Sequence, residues 1–321
     1  MKILVTGASG FVGRWVCLDL LARGHEVVGA VRTAEPLPAW GMGLPRLSWQ
    51  LMELEDRATI HEALATRPDA IIHLAALASG AEARRAPMLA WRINCLGTAE
   101  LIYALEQSGQ RPRFVFASTG EVYGAGHERP IPEDAPTLPC SPYAASKLGA
   151  EVLLLESHRR AKLDLVIARS FAQTGPGQRA AFVVPALADR LVVARQAGEH
   201  TIRVGNLAPV REFVDVRDVA GALWHLLERA PAGSVYNIAR GEGQSLRHVV
   251  DVLSDAIDWP TETKADPDLF RAADIDYLVG DGSRLAALGW QPEWTLDRTL
   301  QEVALEALAA RGHKDWSKSK A

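Results

Sequence analysis

The sequence predicts an α/β fold, a doubly wound parallel sheet with a smaller C-terminal substrate-binding lobe. Three observations lead there. Short runs that are apolar throughout, not at every second residue, mark strands buried on both faces, as parallel strands are. Amphipathic segments alternate with those runs through the first half of the chain, the order that a sheet covered by helices on both sides requires. Finally, 321 residues exceed what a simple core usually needs, so an appended lobe is expected.

Taken in order, KILVT at 2–6 reads as a buried strand and 11–22 as the helix after it. EVVGAVR at 26–32, AIIHLAA at 70–76 and RFVFAS at 113–118 repeat the strand pattern, with helical patterns near 57–66 and 87–107. SPYAASKLGAE at 141–151 opens a further helix, and LDLVIARS at 163–170 reads as the last strand of the main sheet. The composition then turns irregular. FAQTGPGQ at 171–178 reads as a turn, 182–197 as a helix, and 201–230 as strand, loop, strand, helix. SVYNIA at 234–239 returns as a strand, followed by helices near 245–257 and 296–310. TETKADPDLF at 261–270 reads as a loop and WSKSKA at 316–321 as a frayed tail. The expected organisation is a first domain over 1–170 and a lobe over 171–321, partly interleaved with it.

Composition excludes several classes of function. With 48% hydrophobic and 23% charged residues the chain is an ordinary globular protein, and a net charge of −4 argues against binding nucleic acid by bulk electrostatics. Cys17, Cys95 and Cys140 lie far apart without a C-x-x-C pair, so neither a disulfide framework nor a metal site is expected, and a reducing compartment fits. MKILVTG runs straight into a strand, and no apolar run reaches bilayer length; a cytoplasmic protein without membrane contact is the expectation.

VTGASGFVG sets Gly7, Gly10 and Gly13 between the first strand and its helix. The first glycine permits a tight turn, the second a close approach of a pyrophosphate to the backbone, and the third close helix–strand packing, with the anion at the helix N-terminus. This is the dinucleotide fingerprint of a Rossmann-like sheet. The second strand ends in Arg32 where an acidic residue would suit a free ribose 2′-hydroxyl, so NADP(H) is expected over NAD(H). Glu53 to Asp56, ahead of the helical pattern near 57–66, suit a helix cap or an adenine contact, and His73 reads as strand-end packing, not a metal ligand.

The strand at 113–118 leads into Ser118, Thr119 and Glu121 at the carboxyl edge of the sheet, where ligands bind in this architecture. Tyr143 and Lys147 follow at i and i+4 on one helical face. A phenol is a poor acid at neutral pH unless positive charge lowers its pKa. Lys147 would tune Tyr143 and hold a nicotinamide ribose, Tyr143 would exchange a proton with a carbonyl or hydroxyl, and Thr119 would hydrogen-bond the same oxygen.

These motifs resemble the extended short-chain dehydrogenases/reductases that act on nucleotide-sugars, over nearly the whole chain. TGASGFVG, HLAA, INCLGTAEL, STGEVYG and SPYAASKLGAE are similar to their cofactor and catalytic motifs. GPGQ, VGNLAPVREFVDVRD, VYNIARGEGQSLRHVVDVL and GDGSRLAALGWQP are similar to their substrate-lobe motifs. The resemblance implies cofactor contacts from Ser9, Phe11, Val12, Leu54, Leu74, Ala75, Ala76 and Asn94, besides the three glycines, Arg32, Tyr143 and Lys147. It implies substrate contacts from Thr119, Gln173, Arg179, Asn206, Arg211 and Arg271, with Arg211 the foremost diphosphate partner because its fork suits phosphate oxygens. A homodimer is implied as well. The nearest likeness is to the branch that reduces the 4-keto group of a GDP-linked 6-deoxy-hexose. A 4,6-dehydratase, a 4-epimerase and a non-catalytic NADP(H) sensor are the alternatives. Two positions depart from the family pattern. Gly120 stands where Asp or Ser is usual between Thr119 and Glu121, and Ala172 replaces a substrate-contacting asparagine, for which Gln173 is the nearest substitute.

Overall fold

The computed structural model describes residues 1–32, 36–270 and 275–315. The main sheet starts with β1 (Lys2–Thr6), α1 (Phe11–Ala22), β2 (Glu26–Val31), β3 (Leu47–Leu51), α2 (Arg57–Ala65) and β4 (Ala70–His73). It continues with α3 (Gly80–Arg85), α4 (Pro87–Ala90), a π-helical stretch (Trp91–Gly97), α5 (Thr98–Ser108), β5 (Arg113–Thr119), α6 (Pro142–Ala161) and β6 (Leu165–Ser170). Then come β7 (Gln173–Thr174), α7 (Val183–Ala197), β8 (Thr201–Val204), β9 (Val210–Arg211), β10 (Val214–Asp215), α8 (Val216–Arg229) and β11 (Ser234–Ile238). The chain closes with β12 (Gln244–Ser245), α9 (Leu246–Ala256), β13 (Glu262–Ala265), β14 (Tyr277–Leu278), α10 (Ser283–Ala286) and α11 (Leu296–Asp315).

The main sheet has seven strands in the order β11-β6-β5-β4-β1-β2-β3, every neighbour parallel. Alternation along each strand feeds two cores. Ile3 and Val5 of β1 pack toward α1 and α8 with Val16, Leu20, Val219 and Leu223. Leu4 faces the other way, toward α2, α5 and α6, with Ile60, Leu101, Leu105 and Leu154. Strand order reverses between β1 and β4, so the crevice beyond their carboxyl ends is where this topology places a ligand. The lobe has its own core, where Leu187 and Leu191 of α7 meet Val249 and Leu253 of α9 and Leu300 of α11.

Three expectations are corrected. The strand at 165–170 is not the last of the main sheet: β11 pairs beyond it, with Val235 opposite Ile167 and Ile238 opposite Ser170. The amphipathic α8, packed beside α1, returns the chain to that edge. Residues 262–265 form a strand, not a loop; ETKA carries no apolar period and is held by parallel backbone pairing with β8. The helix expected over 87–107 is interrupted by the π-helical stretch, a device that recurs at functional sites. The tail at 316–321 lies outside the described residues, among which no helix is long and apolar enough to cross a membrane.

Candidate active site

The glycine turn is built as its spacing requires. Gly7 has φ +70, a left-handed conformation that favours glycine, and a Cβ there would stand 2.9 Å from the Ala75 nitrogen. At Gly13 a Cβ would fall 2.2 Å from the Gly7 carbonyl oxygen, so no side chain is compatible with this packing of α1 on β1. Gly10 is the N-cap of α1, no side chain caps the helix, and its first turn carries no acidic residue. The orphan N–H groups and positive end of the helix dipole therefore face the crevice, a setting that fits a dinucleotide pyrophosphate. Ser9 is half-buried in the turn, Phe11 and Val12 are half-buried in the first turn of α1, and Arg32 is exposed at the end of β2.

A closed chain of hydrogen bonds braces the opposite wall. Thr6 Oγ1 accepts from the Leu74 and Ala75 N–H groups, both at 3.1 Å, and lies 2.7 Å from His73 Nδ1. His73 Nε2 lies 3.1 Å from Thr98 Oγ1, which donates its proton to the Asn94 carbonyl at 2.7 Å. With the Thr98 proton so committed, His73 Nε2 must be the donor, and Nδ1 the acceptor of the Thr6 proton. Burial, aided by the charge of Lys147, pushes His73 down to about 3, so it stays neutral. His73 thus fixes the 74–76 segment over Gly7. Ala76 is half-buried there. Asn94 is buried, accepting from the Leu77 N–H at 2.7 Å and donating to Ser146 at 2.9 Å; its side chain clamps this wall to α6. Leu54 is buried in the core under Gly97.

Thr119, Glu121, Tyr143 and Lys147 converge at the carboxyl edge of β5. Thr119 caps the short 3-10 turn Gly120–Tyr123 by accepting from the Glu121 N–H at 3.2 Å, and its hydroxyl lies beside the Tyr143 phenol. Ser141 caps α6 by accepting from the Ala144 N–H at 3.1 Å and donates to Glu121 Oε2 at 3.3 Å. Pro142 at the first helical position completes a strong helix start just before Tyr143. Lys147 is buried, with Nζ 4.1 Å from the centre of the Phe116 ring. Burial pulls it down to about 7, opposed by Glu151. One expectation is corrected here. Burial and then the Glu121 charge push the Tyr143 phenol up from its ordinary value, and the Thr119 hydroxyl only partly offsets them, so the phenol is raised where a lowered one was expected.

On the lobe side, β9 carries Arg211, half-buried, with Nη1 donating to the Val210 carbonyl at 3.0 Å. The Asn206 side chain accepts from the Ala208 N–H at 3.0 Å, Arg179 is exposed, and Arg271 lies outside the described residues. Gln173 does not take the place left open at Ala172. Adjacent residues of an extended chain point to opposite faces; Ala172 packs on the lobe core, whereas Gln173 accepts from Ser170 at 3.0 Å. Phe171 links the two halves of the site. A Cβ at Gly120 would meet its ring at 3.0 Å, and one at Gly280 would meet it at 2.3 Å.

Comparison with known proteins agrees with this geometry. Residues 4–303 match the family model described as GDP-mannose 4,6 dehydratase. Over 306 residues, 94% of this chain and 95% of the relative, the sequence is 33% identical to GDP-6-deoxy-D-mannose reductase of Pseudomonas aeruginosa. The solved structure of RMD from Pseudomonas aeruginosa complexed with NADPH superposes with a TM-score of 0.83 at 32% identity, over 96% of this chain and 98% of that one. UDP-glucose 4-epimerase of Thermus thermophilus in complex with NAD gives 0.86 at 31% identity, over 97% and 100%. The chain is an extended short-chain dehydrogenase/reductase. It belongs to the nucleotide-sugar branch of that family and is an NAD(P)-dependent enzyme.

Behind the lysine of this dehydrogenase/reductase lies a polar cluster that sequence reading missed. Glu151, one helical turn beyond Lys147, is buried and paired with Arg169 of β6 at 2.7 Å. Ser118 of β5 donates to the same carboxylate, and Arg169 donates to the Tyr123 hydroxyl at 3.0 Å, which in turn donates to Asn237 of β11 at 2.7 Å. A second buried carboxylate, Glu212 beside Arg211, accepts from the backbone N–H groups of Arg240, of Gly241 at 3.0 Å and of Gly280 at 2.8 Å. It ties Arg211 to the Gly280 contact with Phe171. The i+4 spacing from Lys147 to Glu151 was the one local signal for the first cluster; nothing local announces the second.

Proposed function

We propose that this enzyme reduces the 4-keto group of a nucleotide-linked 6-deoxy-hexose, GDP-4-keto-6-deoxy-D-mannose to GDP-D-rhamnose, with NADPH as reductant. The observation that carries the reading is Gly120. Elimination across C5 and C6 calls for an acid/base pair at this strand end, where similar dehydratases hold Asp or Ser before the glutamate. Here the position has no side chain, and the Phe171 ring stands 3.0 Å from where a Cβ would be, a tight fit for any side chain. Net reduction needs only a single proton donor. The similarity to GDP-6-deoxy-D-mannose reductase, to a structure holding NADPH, and the Arg32 cation at the end of β2 support the choice of substrate and cofactor.

In this reading residues 1–170 hold the cofactor and 171–321 supply most substrate contacts. NADPH, when bound, supplies the hydride. Thr119 and Tyr143 orient the C4 carbonyl oxygen, and Tyr143 gives up its phenolic proton to it as the carbonyl becomes an alcohol. Lys147, held against Phe116, holds the nicotinamide ribose. Arg211 pairs with the diphosphate. The protein acts as a homodimer through the outer face of α5 and α6. Leu96 at the end of the π-helical stretch before α5, Tyr103 of α5 and Val152 of α6 are all more than half exposed.

The test is to incubate the protein with GDP-4-keto-6-deoxy-mannose and NADPH, and separately with GDP-mannose alone. Stoichiometric loss of reduced nicotinamide in the first supports the proposal, and Tyr143→Phe should lower kcat by about 10²-fold or more. Turnover of GDP-mannose without added reductant would make it a dehydratase instead. Full turnover by Tyr143→Phe would rule out the proton donor named here.

A further inference from the structure

Two guanidiniums flank Trp15 of α1. Arg217 lies 5.7 Å from its ring centre and is neutralised by Asp215 at 2.7 Å and Glu302 at 2.8 Å. Arg14 lies 5.5 Å from the centre and, among the described residues, makes neither a hydrogen bond nor an ion pair. Its Nε is buried without a partner, a state that native proteins rarely leave unexplained.

Position gives the explanation. Arg14 follows Gly13 directly, and its backbone N–H makes the first bond of α1, to Gly10 at 3.0 Å. Its Nη1 reaches the 175–178 turn, 3.4 Å from where a Cβ at Gly177 would stand. Trp15 fixes that turn against α1 by donating to the Pro176 carbonyl at 3.2 Å. The nearby carboxylate, Glu306, accepts from the Gly177 N–H at 2.8 Å and leaves Arg14 unneutralised. An arginine without a counter-ion therefore stands between the uncapped first turn of α1 and the turn that opens the lobe. A guanidinium fork there matches a diphosphate, whose oxygens supply what its N–H groups lack.

We infer that Arg14 is a phosphate-binding residue, contacting a diphosphate held between α1 and the 175–178 turn. The inference rests on the nucleotide-binding reading of this cleft. Two diphosphates come within its compass, that of the dinucleotide and that of the sugar nucleotide.

Calorimetric titration of the full chain with NADP+, GDP and adenosine 2′-monophosphate separates them, the last carrying no diphosphate. Arg14→Met should weaken NADP+ at least tenfold with GDP within twofold if the dinucleotide is the partner, and the reverse if the sugar nucleotide is. Arg14→Lys, which keeps charge but not the fork, should fall between and guards against a misfolded Met variant. Affinities for NADP+ and GDP both within twofold of wild type would overturn the inference. So would an equal loss for adenosine 2′-monophosphate and NADP+, which would assign Arg14 to the 2′-phosphate. Failure of the wild-type protein to bind GDP, with the NADP+ arm intact, would count against the proposed substrate and not against Arg14.

Discussion

At the scale of single residues, the site is governed by protons whose places are fixed by their neighbours. His73 read from sequence is an apolar strand end; in the fold it links Thr6 to Thr98, and those two hydroxyls dictate its tautomer. Imidazole nitrogen shifts in labelled protein should show a neutral ring protonated at Nε2 down to pH 5, and an imidazolium at that pH would refute the assignment. Gly120 acts by what it lacks. Gly120→Asp must displace the Phe171 ring and should cost about 1–3 kcal/mol by overpacking. An unchanged denaturation midpoint would show that the ring yields freely. Neither partner was legible in sequence, because Thr98 and Phe171 lie 25 and 51 positions from the residues they constrain.

At the scale of elements, α6 explains both what the sequence disclosed and what it hid. Its cap, its proline and the Tyr143–Lys147 pair are local patterns, readable from one segment. The charge on Lys147 is not, since it draws on the Glu151 carboxylate, which Arg169 from β6 and Ser118 from β5 hold in place. Taken alone, Glu151 looks like any solvated helix carboxylate. Glu151→Gln retains the shape but removes the charge that opposes burial of the lysine. The alkaline limb of kcat/KM for reduction should therefore move to lower pH, with Glu151→Asp restoring it partly. A limb that stays in place would detach Glu151 from the lysine. The strand β13 failed to show in the sequence for a related reason: its only specification is the edge of β8.

At the scale of the whole molecule, two buried groups tilt stability in opposite directions. His73 is held down at about 3, so between there and its ordinary value near 6.5 the unfolded chain binds the extra proton, and stability rises with pH. Burial lifts Glu212 from 4.5 to about 7, against its backbone hydrogen bonds, so between those values the folded chain binds the extra proton and stability falls with pH. Where the windows overlap, each amounts to roughly 2–3 kcal/mol and they offset. Melting temperature should be nearly flat from about pH 4.5 to 6.5, whereas in Glu212→Gln it should climb; a flat variant would remove Glu212 from this balance. The general plan, strands alternating with helices and a lobe returning to the sheet, was legible because buried parallel strands are apolar throughout. Which strand lies at the edge was not, since pairing partners are settled in three dimensions.

The late arrival of β11 has a temporal consequence. A nascent chain leaves the ribosome N-terminus first, and until residue 238 has emerged β6 is a bare rim and the Tyr123 hydroxyl lacks its Asn237 acceptor. The half of the sheet that carries Thr119 and Tyr143 therefore waits for a segment made long after β6, and vectorial synthesis completes this edge only when the fold is nearly whole.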